Sequence, residues 1–169
     1  MAYGVLLLRL FVGLSFIGHG SQKLFGWFGG YGPQGTGGFF GQLGYRAPVA
    51  MAIAAGASEV AGGALLALGL ATPLAALLIA TVMINAIVTV TWGKEGFLRG
   101  SELELTYLVT AISLAAIGAQ RISLDRAIGW DDNISAVAWG AAALAGAIIV
   151  SFFTTTVGRA RAEATEVPA

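Results

Sequence analysis

The sequence predicts an all-α integral membrane protein, a four-helix transmembrane bundle with a fifth hydrophobic helix near the C-terminus. Composition is the first observation: 57% of the 169 residues are hydrophobic and 11% are charged, whereas a soluble domain carries about 25% charged residues. A soluble domain of this length could not bury so much apolar surface, because small domains leave a large fraction of their surface in water. Segment length is the second observation, since a spanning helix needs about 20 mostly apolar residues.

Five segments are candidates for these helices. The first contains a single charge, Arg9. The uncharged run from Val60 to Gly93 is too long for one crossing. It divides between Gly69 and Pro73, because Gly suits the end of one helix and Pro suits the first turn of the next. The fourth segment is short. The predicted boundaries are 3–22, 48–70, 73–92, 103–119 and 134–156.

Glycine and aromatic residues alternate between the first two segments, over residues 26–41. One interpretation is an interfacial loop whose rings rest at headgroup depth, where Trp92 is also expected. The other is a lid or re-entrant segment over a cavity, which requires protein or water to satisfy its backbone. Thr36 is expected to cap a short helical turn over 37–43.

The composition also excludes several kinds of chemistry. Cysteine is absent, which rules out thiol relays, disulfides, iron–sulfur clusters and covalent haem attachment within the chain. His19 is the single histidine, so we expect no metal site. Nine Lys and Arg balance nine Asp and Glu, and no basic patch predicts nucleic-acid binding. Any redox role therefore needs a bound organic cofactor or a partner subunit.

A polar layer is predicted inside the membrane. With a rise of about 1.5 Å per residue, His19, Glu59, Asn85 and Tyr107 lie about 18–22 Å from the side that holds the N-terminus. Glu59 is the most informative of them, since a bare carboxylate near the bilayer centre costs at least a few kcal/mol. It should pair with His19, Asn85, Tyr107 or Arg9, or carry a proton. Arg9 either snorkels outward or reaches inward.

Three roles for this layer stay open. Glu59 could join helices through a satisfied hydrogen-bond network, help form a pocket for a polar-headed lipid, quinone or small metabolite, or belong to a proton or solute path. Glu102 and Glu104 begin the fourth segment. They belong either to a solvated turn that starts at Lys94 or to the rim of the cavity.

Short motifs in a defined order carry a family resemblance. They are Leu8 to Gly13, Gly18 to Gly20, Lys23 to Phe25, Glu59 to Gly63, Leu68 to Thr72, Glu102 to Leu105 and Gly118 to Asp125. In this order they resemble the DoxX family of bacterial membrane proteins, over about residues 4–130. The resemblance implies a four-helix bundle, multi-pass in the bacterial inner (plasma) membrane. It also implies association with redox systems, because the related DoxD subunit belongs to a thiosulfate:quinone oxidoreductase and some DoxX proteins associate with detoxifying enzymes.

The resemblance divides the chain into a DoxX-like four-helix bundle over 1–130 and an additional helix with a short polar tail over 131–169. The membrane orientation stays open. Six basic residues on one side against Arg121 and Arg126 on the other favour an external N-terminus, whereas the family's pattern favours a cytoplasmic one. The six are Lys23, Arg46, Lys94, Arg99, Arg159 and Arg161.

The leading hypothesis is an accessory or quinone-interacting subunit of a membrane oxidoreductase system, with a quinone as its ligand. Whether the chain is itself an enzyme stays open. The expected partners are membrane lipids, redox-enzyme subunits and a second copy of the chain. The alternatives are a scaffold that recruits soluble enzymes through the 93–102 loop, and a small lipid or solute transporter. The candidate polar pocket consists of Arg9, His19, Lys23, Glu59, Asn85, Glu102, Glu104 and Tyr107.

Overall fold

The computed structural model describes residues 2–91, 100–134 and 136–159, and every named element within these ranges is helical. The elements in chain order are α1 (Ala2–Phe25), a 3₁₀-helix (Trp27–Gly29), α2 (Gly32–Gln42), α3 (Pro48–Leu68), α4 (Thr72–Ala86), a π-helix (Ile87–Thr91), α5 (Glu102–Ile117), α6 (Leu124–Ala127), α7 (Asp131–Ile134) and α8 (Val137–Thr156). Four stretches are long and apolar enough to cross a membrane: 2–25, 48–68, 72–91 and 137–156. The prediction of an all-helical, multi-pass membrane protein is confirmed.

The five predicted segments correspond to α1, α3, α4 with its π-helix, α5 and α8. Helix α5 has 16 residues and is too short to count among the four apolar spans. Its ends nevertheless meet opposite ends of α1. Ala119 follows α5 and accepts a hydrogen bond from Arg9, while Glu104 in the first turn shares a cavity with Lys23. We call these two ends of the bundle the Arg9 end and the Lys23 end.

Glycines bring α1 and α3 into close contact. A Cβ atom added at Gly13 would lie 2.5 Å from the carbonyl oxygen of Gly63, and one added at Gly20 would lie 2.5 Å from that of Gly56. Neither distance is tolerable, so the two backbones approach as closely as they do because these positions lack side chains. Small residues serve this purpose at many helix interfaces in membranes.

The core lies around α4. Ala75, Ala76 and Ile79 of this helix are fully buried and belong to one cluster with Phe16 of α1 and Leu114 of α5. Helix α8 packs against α4 and α5, so the C-terminal helix joins the same bundle. The boundary predicted at residue 130 stays a prediction.

Arg9 reaches inward and is 1% exposed. Its Nε donates to the carbonyl oxygen of Leu66 and its Nη2 to that of Ala67, both at 3.0 Å. Its Nη1 donates to Ala119 and, at 2.8 Å, to Ile122. Because the last carbonyls of a helix have no partner within the helix, Arg9 supplies donors to the end of α3 and also to the segment that follows α5.

Asp125 performs the complementary task at the start of α4, and it is also 1% exposed. Its carboxylate accepts hydrogen bonds from the backbone N–H of Ala71 at 2.7 Å and of Thr72 at 3.3 Å, and from the Thr72 hydroxyl at 2.8 Å. The first N–H groups of a helix need such acceptors. Here the cap comes from more than 50 residues away along the chain, and it holds the 118–127 segment against the bundle.

The glycine and aromatic segment forms the 3₁₀-helix and α2. The expected start at residue 37, with Thr36 as cap, is wrong: α2 begins at Gly32 and Thr36 lies inside it. Pro33 explains the earlier start, because proline is pre-organised for the first helical turn. Helix α2 packs on α3, where a Cβ at Gly37 would lie 2.7 Å from Val49.

Several predictions fall on residues outside the described ranges. They concern Trp92 at a membrane interface, the cations Lys94, Arg99 and Arg161, and most of the 93–102 loop.

Candidate functional site

A cavity of about 380 Å³ lies at the Lys23 end of the bundle. Helices α1, α3, α4, α5 and α8 line it, together with Phe39, Phe40 and Tyr45 from α2 and the turn that follows. Its volume is in the range of known ligand pockets, about 300–1,000 Å³. The lining is mostly apolar. The described polar residues that were predicted from the sequence and line it are His19, Lys23, Glu59, Asn85, Glu104 and Tyr107.

Glu59 is paired with Lys23. The Lys23 Nζ atom lies 2.6 Å from Oε2 of Glu59 and 2.8 Å from Oε1. Glu59 is 2% exposed, whereas the Lys23 side chain is 23% exposed. The partners predicted for Glu59 did not include Lys23, and that expectation is corrected. The lysine stem can cross to α3 because Gly56 has no side chain, and a Cβ added there would lie 3.1 Å from Lys23 Cβ.

Aromatic rings connect α1 to α5 along one wall of the cavity. Phe16 makes an edge contact with Tyr107, with ring centroids 5.1 Å apart, and a longer one with His19 at 6.5 Å. His19 is exposed although it lines the cavity, and its Nδ1 lies 3.3 Å from Oε1 of Gln22. The imidazole therefore lies at the edge of the cavity, with part of its surface exposed outside the bundle.

Asn85 is part of a hydrogen-bond network on the opposite wall. Its Oδ1 accepts from the hydroxyls of Tyr45 at 3.1 Å and Thr154 at 2.8 Å. Its Nδ2 donates to the carbonyl of Thr81 at 2.9 Å and to the hydroxyl of Ser151 at 3.1 Å. Two acceptor and two donor sites are what one amide offers. Asn85 thus joins α4 to α8, and its side chain is satisfied within the fold.

Sequence reasoning missed Tyr45, Ser151 and Thr154. Tyr45 lies in the turn between α2 and α3, outside the spans, where burial raises the pKa of its phenol. The hydroxyl therefore remains a donor to Asn85. Ser151 and Thr154 had a usable signal, since polar residues three apart on an apolar helix share a face and usually point into the bundle.

Glu104 differs from the other polar groups of the cavity. It lines the wall in the first turn of α5. Its Oε2 atom is buried and has no hydrogen-bond partner among the described residues. Such atoms are rare in folded proteins and call for an explanation, such as a bound water, ion or ligand.

Two predicted site residues lie elsewhere. Arg9 caps helices at the opposite end of the bundle, where its hydrogen bonds account for its burial. Glu102 is exposed and accepts a hydrogen bond from the backbone N–H of Gly100 at 2.9 Å. Within the described ranges, no group of three or more His, Asp or Glu residues could hold a metal ion.

This arrangement suits a flat apolar molecule with a polar head. Phe16 and Tyr107 offer aromatic faces and edges, while Lys23 and Glu104 bring a donor and an acceptor to the same space. Glu59 and His19, residue types that serve as general acids and bases in many enzymes, also line the cavity.

Comparisons with known proteins agree with the resemblance. The DoxX family model matches residues 4–92, just over half of the chain. A Bacillus subtilis (strain 168) protein named "Putative oxidoreductase CatD" is 38% identical over 122 residues, which cover 72% of this chain and 84% of that protein. No solved structure matches. The family match and the extent of this similarity both show that the chain belongs to the DoxX family.

Proposed function

We propose that this protein binds a quinone in the cavity at the Lys23 end and acts as an accessory, quinone-interacting subunit of a membrane oxidoreductase system. The observation that supports the proposal is the combination of an apolar space of about 380 Å³ with a partly buried Lys23–Glu59 pair and, on the wall, a buried carboxylate oxygen of Glu104. Ligand pockets are typically apolar with a few convergent polar groups that orient the ligand.

The donors of the cavity fit a quinone head. A quinone carbonyl oxygen only accepts hydrogen bonds, and an ammonium group has three donors. Glu59 takes two contacts from Lys23 Nζ, which leaves a third N–H for a ligand oxygen. The ring itself would lie against Phe16 and Tyr107, since aromatic rings favour edge-to-face and offset stacking.

In this proposal, the residues of the chain itself transfer protons to and from the bound quinone. Reduction of a quinone to a quinol takes two electrons and two protons. We assign the electrons to a partner oxidoreductase; the chain has no cysteine that could act as a thiol carrier or bind an iron–sulfur cluster. Glu59 and His19 are the groups that would exchange protons with the bound head. The name of the B. subtilis relative, "Putative oxidoreductase CatD", supports a redox setting.

The same proposal accounts for the membrane location. A quinone with an isoprenoid tail is dissolved in the bilayer, and the cavity lies within a bundle in which four helical stretches are long and apolar enough to span the bilayer. We place the protein in the bacterial inner membrane, where respiratory quinones are found.

The test measures the ligand directly. The protein is extracted from its native membrane into lipid nanodiscs, and bound quinones and lipids are quantified by mass spectrometry for the wild type, Glu59→Gln and Glu102→Gln. We expect near-stoichiometric quinone in the wild type and in Glu102→Gln, and loss in Glu59→Gln. Glu102 is a matched control, because the same exchange is made on an exposed carboxylate outside the cavity.

A scaffold role would give a different pattern. If all three preparations contain no quinone, the quinone proposal is wrong. A lower unfolding temperature of Glu59→Gln alone would then show that the Lys23–Glu59 pair serves to join α1 to α3. Recruitment of soluble enzymes through the 93–102 loop would then be the stronger hypothesis, to be tested by substitutions in that loop.

A further inference from the structure

We propose that the cavity binds the reduced, hydroxyl-bearing form of its ligand, a hydroquinone, more tightly than the oxidised quinone, and that Glu104 makes this distinction. The inference rests on the function proposed above and extends it to the redox state of the ligand. It follows from the one carboxylate oxygen of the cavity wall that the described residues leave without a partner.

The hydrogen-bonding capacity of Glu104 is the first step. Its Oε2 atom is buried, faces no donor from any described residue and belongs to a side chain that lines the cavity. The side chain extends from the first turn of α5. A carboxylate oxygen accepts hydrogen bonds, so its complement must be a donor.

The redox forms of the ligand differ in this respect. A quinone presents two carbonyl oxygens, both acceptors, whereas a hydroquinone presents two hydroxyl groups that donate as well as accept. A carbonyl oxygen placed against Glu104 Oε2 would bring two acceptors together and leave both unsatisfied. A hydroxyl placed there would form a charge-assisted hydrogen bond, which is roughly twice as strong as a neutral one.

Lys23 does not make this distinction. Its ammonium donates to Glu59 and can donate to an oxygen of either form, since a hydroxyl oxygen and a carbonyl oxygen both accept. The pair Lys23–Glu59 therefore supports binding in general, and Glu104 supports binding of the reduced form. Substitution of Glu59 should therefore weaken the binding of both redox forms, whereas substitution of Glu104 should change the preference between them.

The experiment compares two soluble probes, decylubiquinone and its quinol, by equilibrium dialysis under anaerobic conditions with the full chain in nanodiscs. We expect the wild type to bind the quinol at least about tenfold more tightly, as one charge-assisted hydrogen bond allows. Such a preference also raises the two-electron midpoint potential of the bound couple by about 30 mV per tenfold. Glu104→Gln should abolish or reverse the preference, because an amide can donate to a carbonyl. Glu102→Gln should keep it.

Three results would overturn this inference. The first is equal binding of both probes by the wild type, and the second is a preference that persists in Glu104→Gln. The third is displacement of the quinol by a tetraalkylammonium ion that depends on Glu104, which would make a cation the partner of this carboxylate. The wild-type comparison and a second variant, Glu104→Asp, keep the test valid if Glu104→Gln does not fold. If neither probe binds, the proposed function fails. If both bind equally and Glu59→Gln weakens both, the function stands and only the selectivity is wrong.

Discussion

Replacing Arg9 with methionine should destabilise the bundle more than any other single change at an arginine. The guanidinium donates hydrogen bonds to the backbone carbonyls of Leu66, Ala67, Ala119 and Ile122. Methionine fills a similar volume and donates to none of them. The carbonyl of Leu66 keeps the backbone N–H of Gly69 as a donor, and each of the other carbonyls that is left without a donor costs about 1–3 kcal/mol.

The sum of these penalties is an upper bound, because backbone relaxation and water entry recover part of it. Arg9 also lies near the buried carboxylate of Asp125, and the attraction between them is lost with the charge. Removing one partner of a buried charged network costs about 3–5 kcal/mol. For a chain of this size that corresponds to a fall of about 6–20 °C in melting temperature.

The assay is thermal unfolding of the purified protein in one detergent, followed by intrinsic tryptophan fluorescence, with Arg121→Met as control. Arg121 is an exposed arginine near the same end of the bundle, so its replacement should change stability by less than about 0.5 kcal/mol. Arg9→Lys should fall between the two, because an ammonium keeps the charge but cannot reproduce the planar fork that reaches both α3 and the segment after α5. If Arg9→Met and Arg121→Met unfold within a degree of each other, the capping argument is refuted.

Three further predictions use the same unfolding assay. Gly69→Ala should cost about 1–3 kcal/mol, because Gly69 has φ +62° and an added Cβ would lie 2.5 Å from the Arg9 guanidinium; an unchanged melting temperature would contradict this. Gly20→Ala should separate α1 from α3 and destabilise the protein by a similar amount. Gly18→Ala should be neutral or stabilising, because no described atom lies within 4 Å of the added Cβ. Equal effects of the two substitutions would refute the close-packing argument. Burial raises the pKa of Tyr45, so the unfolded state loses its proton first, and the stability of the wild type relative to Tyr45→Phe should fall as pH rises above about 10. A difference that does not change with pH would contradict the raised pKa.

Much of the fold could be predicted because helix boundaries depend on local chemistry. The end of α3 and the start of α4 follow from Gly69, which takes a left-handed conformation, and from Pro73 in the first turn of α4. The caps could not be predicted in this way. Asp125 reaches Ala71 across the fold, and no pattern within either segment indicates that contact.

The sequence predicted how deep each site residue lies along its helix, but not which neighbouring residues its side chain contacts. A constant rise per residue placed Glu59, Asn85 and Tyr107 at one level, and all three line the cavity. The rotation of each helix, which decides what a side chain meets, depends on packing. Lys23 is the partner of Glu59 because Gly20 and Gly56 bring α1 against α3 at that level, and depth alone does not contain this information.

The buried polar groups at the two ends of the bundle differ in whether they have hydrogen-bond partners. This difference distinguishes residues that stabilise the fold from a residue that affects ligand binding. At the Arg9 end, Arg9 and Asp125 meet the backbone groups that the helix ends leave unpaired, so the fold alone explains why they are there. At the Lys23 end, the carboxylate oxygen of Glu104 is buried beside a cavity without a donor among the described residues. A buried polar atom without a hydrogen-bond partner is rare in folded proteins and calls for an explanation beyond the fold itself. Substitutions at the Arg9 end should therefore change stability, and substitutions of Glu104 should change what the cavity binds.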